Sequence, residues 1–339
     1  MATFDAELLV RSLIGGMSME DFNRDLREAR PEKFKGTFSS QLLEELYSLS
    51  RLEALLLREP LVITHIDIFD GTGLRRLVDV QRKSGRTPAE VVAEAFVQGS
   101  TVRLRDSQDF DQRLNQFANE VARQFVAHSD INLYLTPPQR TGFPPHFDTT
   151  DVFIVQCLGS KQWRLYHDYS NMKALPLADT PWDPEHFQPS HHGETETLDP
   201  GDVLYLPRGT MHEAFCTERE SMHLTISVAP MTYADLLAKA LTRIAETDVA
   251  FRRRVPWTSG GVAARHDHDL IQTAKYLIQK LSSDAMLNEL LDAERNEFST
   301  EKAEKIVRPL ESAILDALGV ATEQADVRGR LKKPGCAGS

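Results

Sequence analysis

The chain has 339 residues, 41% of them hydrophobic, with 39 basic and 50 acidic side chains and a net charge of -11. This length fits two domains better than one minimal domain, and the hydrophobic fraction supplies a large core. The acidic balance argues against general nucleic-acid binding and is compatible with a basic protein or peptide substrate.

Cysteine usage and the N-terminus indicate the compartment. There are three cysteines and no C-x-x-C, which argues against both a disulfide framework and a cysteine zinc cluster. The N-terminus carries acids and lacks the basic segment of a signal peptide, and no apolar run is long enough to span a membrane. We therefore expect a cytoplasmic protein.

The first part of the chain is predicted to be mainly helical. Residues 1–60 have helical spacing of apolar side chains, most clearly over 41–57. Residues 60–105 mix short β-rich pieces with a helix around 88–98. Residues 111–128 resemble one amphipathic helix.

From residue 131 to residue 230 the pattern is that of a β-structure. Short β-branched and aromatic runs alternate with Gly, Pro and Asp turns, which predicts an antiparallel sandwich or barrel. Residues 170–198 are rich in Pro and His, and we expect them to form a long loop over one edge. The chain is predicted to be helical again after residue 232, and its end is polar.

Three side chains form the most informative pattern. His146 and Asp148 are an H-x-D pair, and His212 follows 64 residues after Asp148 at the end of an apolar run. Residues i and i+2 of a strand face the same side, so the pair can converge. Two imidazoles and one carboxylate suit a facial triad on non-haem Fe(II) with open positions. The alternative is that these are ordinary surface residues, because H-x-D is frequent by chance.

The alternation of side chains along the predicted strands places one cation and two polar strand faces among the candidate site residues. Lys161 shares a strand face with Trp163 and Leu165, so it either begins a buried face and needs an anionic partner or extends from the turn into solvent. Polar side chains alternate with apolar ones in two other strands, which predicts a polar pocket between sheets, with a half-exposed sheet as the alternative. For His223 the two interpretations weigh equally. These polar faces carry Asn132, Tyr134 and Thr136 on one strand and His223, Thr225 and Ser227 on the other.

The same segments resemble a known family. NLYLTPPQRTGFPPHFDTTDVFIVQCLGSKQWRLY, LDPGDVLYLPRGTMHEA and HLTISV are similar, in this order, to the JmjC-type ribosomal oxygenases, a branch of the cupin-fold 2-oxoglutarate dioxygenases. The resemblance covers roughly residues 130–230. It implies an α+β fold whose core is a double-stranded β-helix (a JmjC/cupin jelly roll), with N-terminal helices and a C-terminal helical region.

The resemblance also implies roles for individual residues. Fe(II) would be bound by His146, Asp148 and His212, which are then the catalytic centre, with 2-oxoglutarate and O₂ as cosubstrates. Lys161 would bind the distal carboxylate of 2-oxoglutarate. Further cosubstrate-pocket positions implied in this way are Asn132, Tyr134, Thr225 and Ser227.

The resemblance further implies a division of the chain. Residues 1–230 would form an oxygenase domain with a helical N-terminal extension and a β-core over about 130–230. Residues 231–322 would form a helical dimerisation region and 323–339 a polar tail, with a homodimer as the default assembly. The winged helix of the family is not visible in the sequence, which leaves the substrate open.

The implied activity is hydroxylation of a side chain in a protein or peptide. One alternative is a tailoring hydroxylase that acts on a peptide natural-product precursor. A second is a cupin-like metal-binding module without turnover, and a third is a zinc or manganese cupin with lyase or isomerase chemistry. The second does not need the full set of His146, Asp148, His212 and Lys161, and the third leaves Lys161 and Asn132 without a cosubstrate.

Overall fold

A computed structural model describes residues 4–254 except 59, 72, 85, 191 and 192, and beyond them only short pieces between 257 and 292. Among the residues described, no helix is long and apolar enough to cross a membrane. The α-helices are α1 (Ala6–Leu13), α2 (Met19–Asp25), α3 (Ser40–Leu46), α4 (Leu49–Arg58), α5 (Leu77–Ser84), α6 (Pro88–Val97), α7 (Gln112–Phe125) and α8 (Tyr233–Thr247). Short 3-10 turns cover Pro60–His65, Ser107–Asp109 and Val249–Arg252.

Eleven strands, β1 to β11, lie between the first helices and α8. They are β1 (Glu32–Phe34), β2 (Ile66–Phe69), β3 (Leu74–Arg76), β4 (Thr101–Leu104), β5 (Ala127–Thr136), β6 (Asp151–Leu158), β7 (Lys161–Tyr166), β8 (Gly193–Leu198), β9 (Val203–Leu206), β10 (Met211–Cys216) and β11 (Ser221–Pro230). A separate hairpin of β12 (Trp257–Thr258) and β13 (Gly261–Val262) follows α8.

The eleven strands form two antiparallel sheets. The large sheet has the order β1-β9-β6-β11-β5-β4-β2-β3, and the small sheet has the order β10-β7-β8. A buried apolar cluster joins β6 and β9 of the large sheet to β7, β8 and β10 of the small one. This sandwich is predicted by the strand pattern of the sequence, and it is the double-stranded β-helix that the family resemblance implies. The strands β1 to β4, which precede residue 130 in the chain, extend the large sheet.

The other face of the large sheet is covered by the N-terminal helices. Leu133 of β5 and Leu224 and Ile226 of β11 belong to one large apolar core together with residues of α1 and α7. The polar side chains of β5 and β11 therefore point towards the small sheet, because alternate residues of a strand face opposite sides. This arrangement confirms the predicted parity of both strands.

The segment 41–57 is helical as predicted, and it forms two helices, α3 and α4, rather than one continuous helix. Tyr47 adopts an extended conformation after α3, and its side chain is buried. Arg51 donates hydrogen bonds to the carbonyl oxygens of Glu45 and Leu46 at the end of α3, and it pairs with Asp111. These contacts satisfy carbonyls that a helix end leaves free, so the break is stable.

Two strands lie where the sequence indicates other structure. Residues 193–198, expected to belong to a loop, form β8, which pairs with β7 over its full length. Residues 32–34, within a region predicted to be helical, form β1 at the edge of the large sheet beside β9. The tail 323–339 and nearly all of the helical region predicted after residue 254 lie outside the described residues.

Candidate active site

The backbone places the two candidate histidine ligands directly opposite each other. The His146 N–H donates to the His212 carbonyl at 2.9 Å, and the His212 N–H donates to the His146 carbonyl at 2.7 Å. Paired residues of an antiparallel bridge project their side chains to the same side. The two imidazole centroids accordingly lie 4.5 Å apart.

Each imidazole is oriented by a carbonyl two residues earlier in the chain. Nδ1 of His146 lies 2.8 Å from the Pro144 carbonyl oxygen, and Nδ1 of His212 lies 2.9 Å from that of Thr210. A carbonyl only accepts hydrogen bonds, so each Nδ1 donates to it, and Nε2 is the nitrogen of each ring that points to a metal. Metal-binding histidines in proteins are commonly held in this way.

Asp148 completes the triad. Its carboxylate lies 3.8 Å from Nε2 of His212, and the ligand atoms of Asp148, His146 and His212 all lie within 4.8 Å of one another. Burial, together with the nearby imidazole of His146, lowers the pKa of His212 to about 4, so this ring is neutral at pH 7. Neutral imidazoles and a carboxylate are the donor set that suits non-haem Fe(II).

Phe147, between the two first ligands, faces away from them. Its ring is buried in a separate apolar cluster with Tyr166, Tyr169, Phe187 and Met211. The alternation that turns His146 and Asp148 inward thus also anchors the segment against the chain that follows β7.

Lys161 lies in the same cavity as the triad. Its side chain is 1% exposed, and its ammonium donates to Oγ1 of Thr136 at 3.0 Å. Among the described residues, no carboxylate forms an ion pair with it. Burial without an anion lowers the pKa of Lys161 to about 8. A buried cation of this kind is stabilised by an anionic ligand.

The cavity between the sheets connects the triad to Lys161. It is narrow, about 40 Å³, so a five-carbon diacid requires the side chains along it to move apart. Two buried polar atoms of its lining, Nδ1 of His223 and Nε1 of Trp163, have no hydrogen-bond partner among the described residues. The lining residues are Tyr134, Gly142, Phe143, His146, Asp148, Val152, Ile154, Lys161, Trp163, His212, Ala214, His223 and Thr225.

The other candidate pocket residues divide into two pairs. Tyr134 and Thr225 line the cavity. Asn132 and Ser227 lie on the same strand faces but not along it. The side-chain oxygen of Asn132 accepts a hydrogen bond from the Asp106 N–H at 3.1 Å, so this group is already satisfied elsewhere.

Comparison with known proteins agrees with this geometry. Residues 103–236 match the model of the JmjC domain. The chain contains a JmjC domain. The JmjC part of the resemblance is thereby confirmed.

The curated relatives align with different shares of this chain. It is 36% identical over 178 residues to the "Bifunctional lysine-specific demethylase and histidyl-hydroxylase NO66" of Dictyostelium discoideum, covering 50% of this chain and 34% of that protein. It is 29% identical over 261 residues to "Ribosomal oxygenase 1" of Danio rerio, covering 74% and 47%. The chain thus spans between a third and a half of the length of these two relatives.

Among solved structures, E. coli ycfD is similar with a TM-score of 0.51 at 16% identity, covering 81% of this chain and 70% of that one. At this identity the similarity is one of fold. It confirms the double-stranded β-helix of the JmjC domain.

The sequence left open whether His223 lies in a polar pocket or on a half-exposed sheet. In the structure it is buried and lines the cavity. The ring stacks on Tyr134 with centroids 4.9 Å apart and planes 1° apart, and burial lowers its pKa well below the usual value, so it is neutral. Parity placed His223 on the polar face. Only the register of β11 against β5, which sets His223 opposite Tyr134, indicates the stack.

Proposed function

We propose that this JmjC protein is an Fe(II)- and 2-oxoglutarate-dependent dioxygenase that hydroxylates a side chain of a protein or peptide. The observation that carries the proposal is a cavity with a metal-type triad at one end and, at the other, a buried ammonium that forms no ion pair within the described part of the chain. A keto-diacid has a chelating end and an anionic end, which are the two chemistries that these ends attract. The zinc and manganese alternatives give Lys161 no partner.

The proposed roles follow from the contacts. His146, Asp148 and His212 hold the iron. When bound with 2-oxoglutarate, iron supplies the activation of O₂ that oxidises an unactivated C–H bond. Lys161, steadied by Thr136, holds the distal carboxylate, and a buried charged hydrogen bond of this kind is among the strong ones.

The remaining pocket residues are uncharged, and their proposed role is to position the cosubstrate. Tyr134 and Thr225 line the cavity, and the Tyr134 ring packs edge-on against Phe143 with the ring centroids 5.7 Å apart. Asn132 and Ser227 stay proposed pocket residues because they share these strand faces. Asn132 stands opposite Thr225 in the register and would act through the backbone of Asp106.

The proposal of a protein or peptide substrate rests on the names of the relatives. One name states both histidyl hydroxylation and lysine demethylation. Between these two, we propose hydroxylation, which is the activity implied by the resemblance of the sequence. An acidic chain suits a basic partner and is a poor match for nucleic acid.

The assembly and the compartment are proposals as well. We propose that residues 1–230 work as the oxygenase domain and that residues 231–322 pair two copies. The exposed Tyr233, Leu237 and Leu241 follow one side of α8 at four-residue intervals, which supports pairing through this helix. The cysteine content supports a cytoplasmic location.

Succinate formation tests the activity. Purified protein is loaded anaerobically with Fe(II) and 2-oxoglutarate, O₂ is added, and succinate is measured with and without candidate peptides. The wild-type protein forms succinate, and His146→Ala does not. Absence of succinate from the wild-type protein under every condition, or undiminished succinate from His146→Ala, would overturn the proposed function.

A further inference from the structure

The segment between β7 and β8 is anchored beside the metal site. We define the insertion as residues 167–190. Its Tyr169 and Phe187 are buried against Phe147, and the Tyr169 hydroxyl donates to the Gly209 carbonyl at 3.0 Å. Gly209 in turn donates its N–H to the Asp148 carbonyl at 2.9 Å. The insertion therefore has a fixed position relative to two of the three triad residues.

One aromatic side chain of the insertion is left open at this position. The Trp182 indole stacks on Phe187, with centroids 5.8 Å apart and planes 15° apart, and packs edge-on against Phe147 at 5.2 Å. Yet Trp182 is 37% exposed, whereas Phe187 is 4% exposed. The buried rings of Tyr169 and Phe187 anchor the insertion. The exposed part of the Trp182 indole is therefore accessible to a ligand.

The open indole lies next to a triad ligand. Its centroid is 6.5 Å from that of the His146 imidazole, with the planes 76° apart. Asp148, on the far side of Phe147 in the chain, has a side chain that is 38% exposed. A substrate side chain that approaches His146 from the side of the insertion passes within contact distance of Trp182.

The charge of the insertion indicates the chemistry of that side chain. The segment carries the acids Asp168, Asp179, Asp183 and Glu185 and the single base Lys173, so its formal charge is four negative less one positive, or -3. The face of an indole attracts cations, and a planar guanidinium additionally stacks on it. Negative surroundings and an open indole together favour a flat cation over an aliphatic side chain.

We propose that the Trp182 indole is a wall of the substrate entrance and stacks against a planar, positively charged side chain of the protein or peptide substrate. This inference rests on the proposed function and identifies a residue that determines its substrate specificity. Trp182 selects and orients the side chain, while the triad and Lys161 carry the reaction.

The test measures binding without turnover. The chain has three tryptophans, so 5-fluorotryptophan gives three ¹⁹F signals, and Trp182→Phe assigns the one of interest. Protein loaded with Zn(II) and 2-oxoglutarate is titrated with the N-acetyl methylamides of arginine, citrulline and norleucine. Citrulline keeps the plane without the charge, and norleucine has neither.

The Trp182 signal is expected to move with the arginine probe, less with citrulline, and not with norleucine. In ligand-observed titrations, Trp182→Ala should weaken binding of the arginine probe by roughly 3- to 30-fold, as loss of a cation–π contact does. Leu177→Ala, at an exposed position of the same insertion, should leave it unchanged. Trp182→Phe should fall between the wild-type protein and Trp182→Ala.

Two results would overturn the proposal. One is a Trp182 signal that ignores the arginine probe or responds equally to norleucine. The other is equal weakening by Leu177→Ala and Trp182→Ala. Neither depends on succinate, so failure of the dioxygenase activity would be recognised separately.

Discussion

The two ends of the central cavity differ in their exposure and in what they can bind. At the open end, His146 and Asp148 are only partly buried, and Trp182 stands at the rim. At the sealed end, Lys161 is 1% exposed and touches Thr136. The open end can exchange metal and admit a substrate. The sealed end is shielded from bulk solvent, so its charge favours an anion that reaches in from the open end.

The largest effect is expected at the open end. Asp148→Ala removes one of the three proposed metal ligands, and we expect the affinity for Co(II) or Fe(II) to fall by more than about 100-fold, since even the loss of a residue that only supports a ligand costs up to that much. Equilibrium dialysis with metal analysis measures this. Asp79→Ala, an exposed acid on α5, is the control. Retention of full metal affinity by Asp148→Ala would show that the triad is not the metal site.

At the sealed end, we expect Lys161→Met to stabilise the ligand-free protein. Burial moves the pKa of Lys161 from 10.5 to about 8, and each unit corresponds to about 1.4 kcal/mol, so relief of this penalty at pH 7 is worth up to about 3 kcal/mol. Urea unfolding measures it, with the exposed Lys173→Met as control. A less stable Lys161→Met protein would mean that the ammonium has a partner that stabilises it in the folded state.

The lowered pKa of Lys161 also predicts how the free energy of unfolding depends on pH. Between about pH 8 and pH 10.5 the unfolded chain binds the Lys161 proton while the folded protein does not, so the free energy of unfolding of the ligand-free protein should rise with pH in this window. Below pH 8 the contribution is constant. Urea unfolding at pH 7.5 and 9.5 should show a smaller rise for Lys161→Met, and equal rises in the two proteins would contradict the pKa.

The smallest effect is expected where the insertion meets the open end. Tyr169→Phe removes the hydrogen bond to the Gly209 carbonyl, and we expect a loss of about 1 kcal/mol in the free energy of unfolding. Metal affinity should fall far less than in Asp148→Ala. Tyr233→Phe, at an exposed hydroxyl on α8, should change neither quantity. Identical unfolding of Tyr169→Phe and the wild-type protein would show that this contact does not hold the insertion.

The sequence alone was sufficient to predict which side chains share a strand face, because alternate residues of a half-buried strand face opposite sides. Parity placed His146 with Asp148, buried Lys161, and turned Tyr134 and Thr225 inward, because a one-residue slip in β5, β7 or β11 would expose their apolar faces. His212 could be added because it follows a short apolar strand. The proposed ligand set can therefore be recognised from the local pattern of the sequence.

Other features depend on contacts between distant segments. The polar segment GETETL does not look like a strand alone, and it forms β8 because the edge of β7 offers a full register. The break at Tyr47 depends on Arg51 reaching back to α3. Asn132 was expected in the pocket by parity, but its oxygen is taken by the backbone of Asp106. The place of Trp182 beside His146 depends on rings far apart in the chain.

The most direct test of the account is whether the two ends bind one diacid together. Isothermal titration measures the affinities for 2-oxoglutarate and for glutarate, which lacks the keto group, with and without Zn(II), in the wild-type protein and Lys161→Met. The account predicts that Zn(II) tightens the binding of 2-oxoglutarate but not of glutarate, and that Lys161→Met weakens both diacids by roughly 100-fold, the size expected when a buried ion pair loses one partner. Binding of 2-oxoglutarate that responds neither to Zn(II) nor to the loss of Lys161 would contradict it.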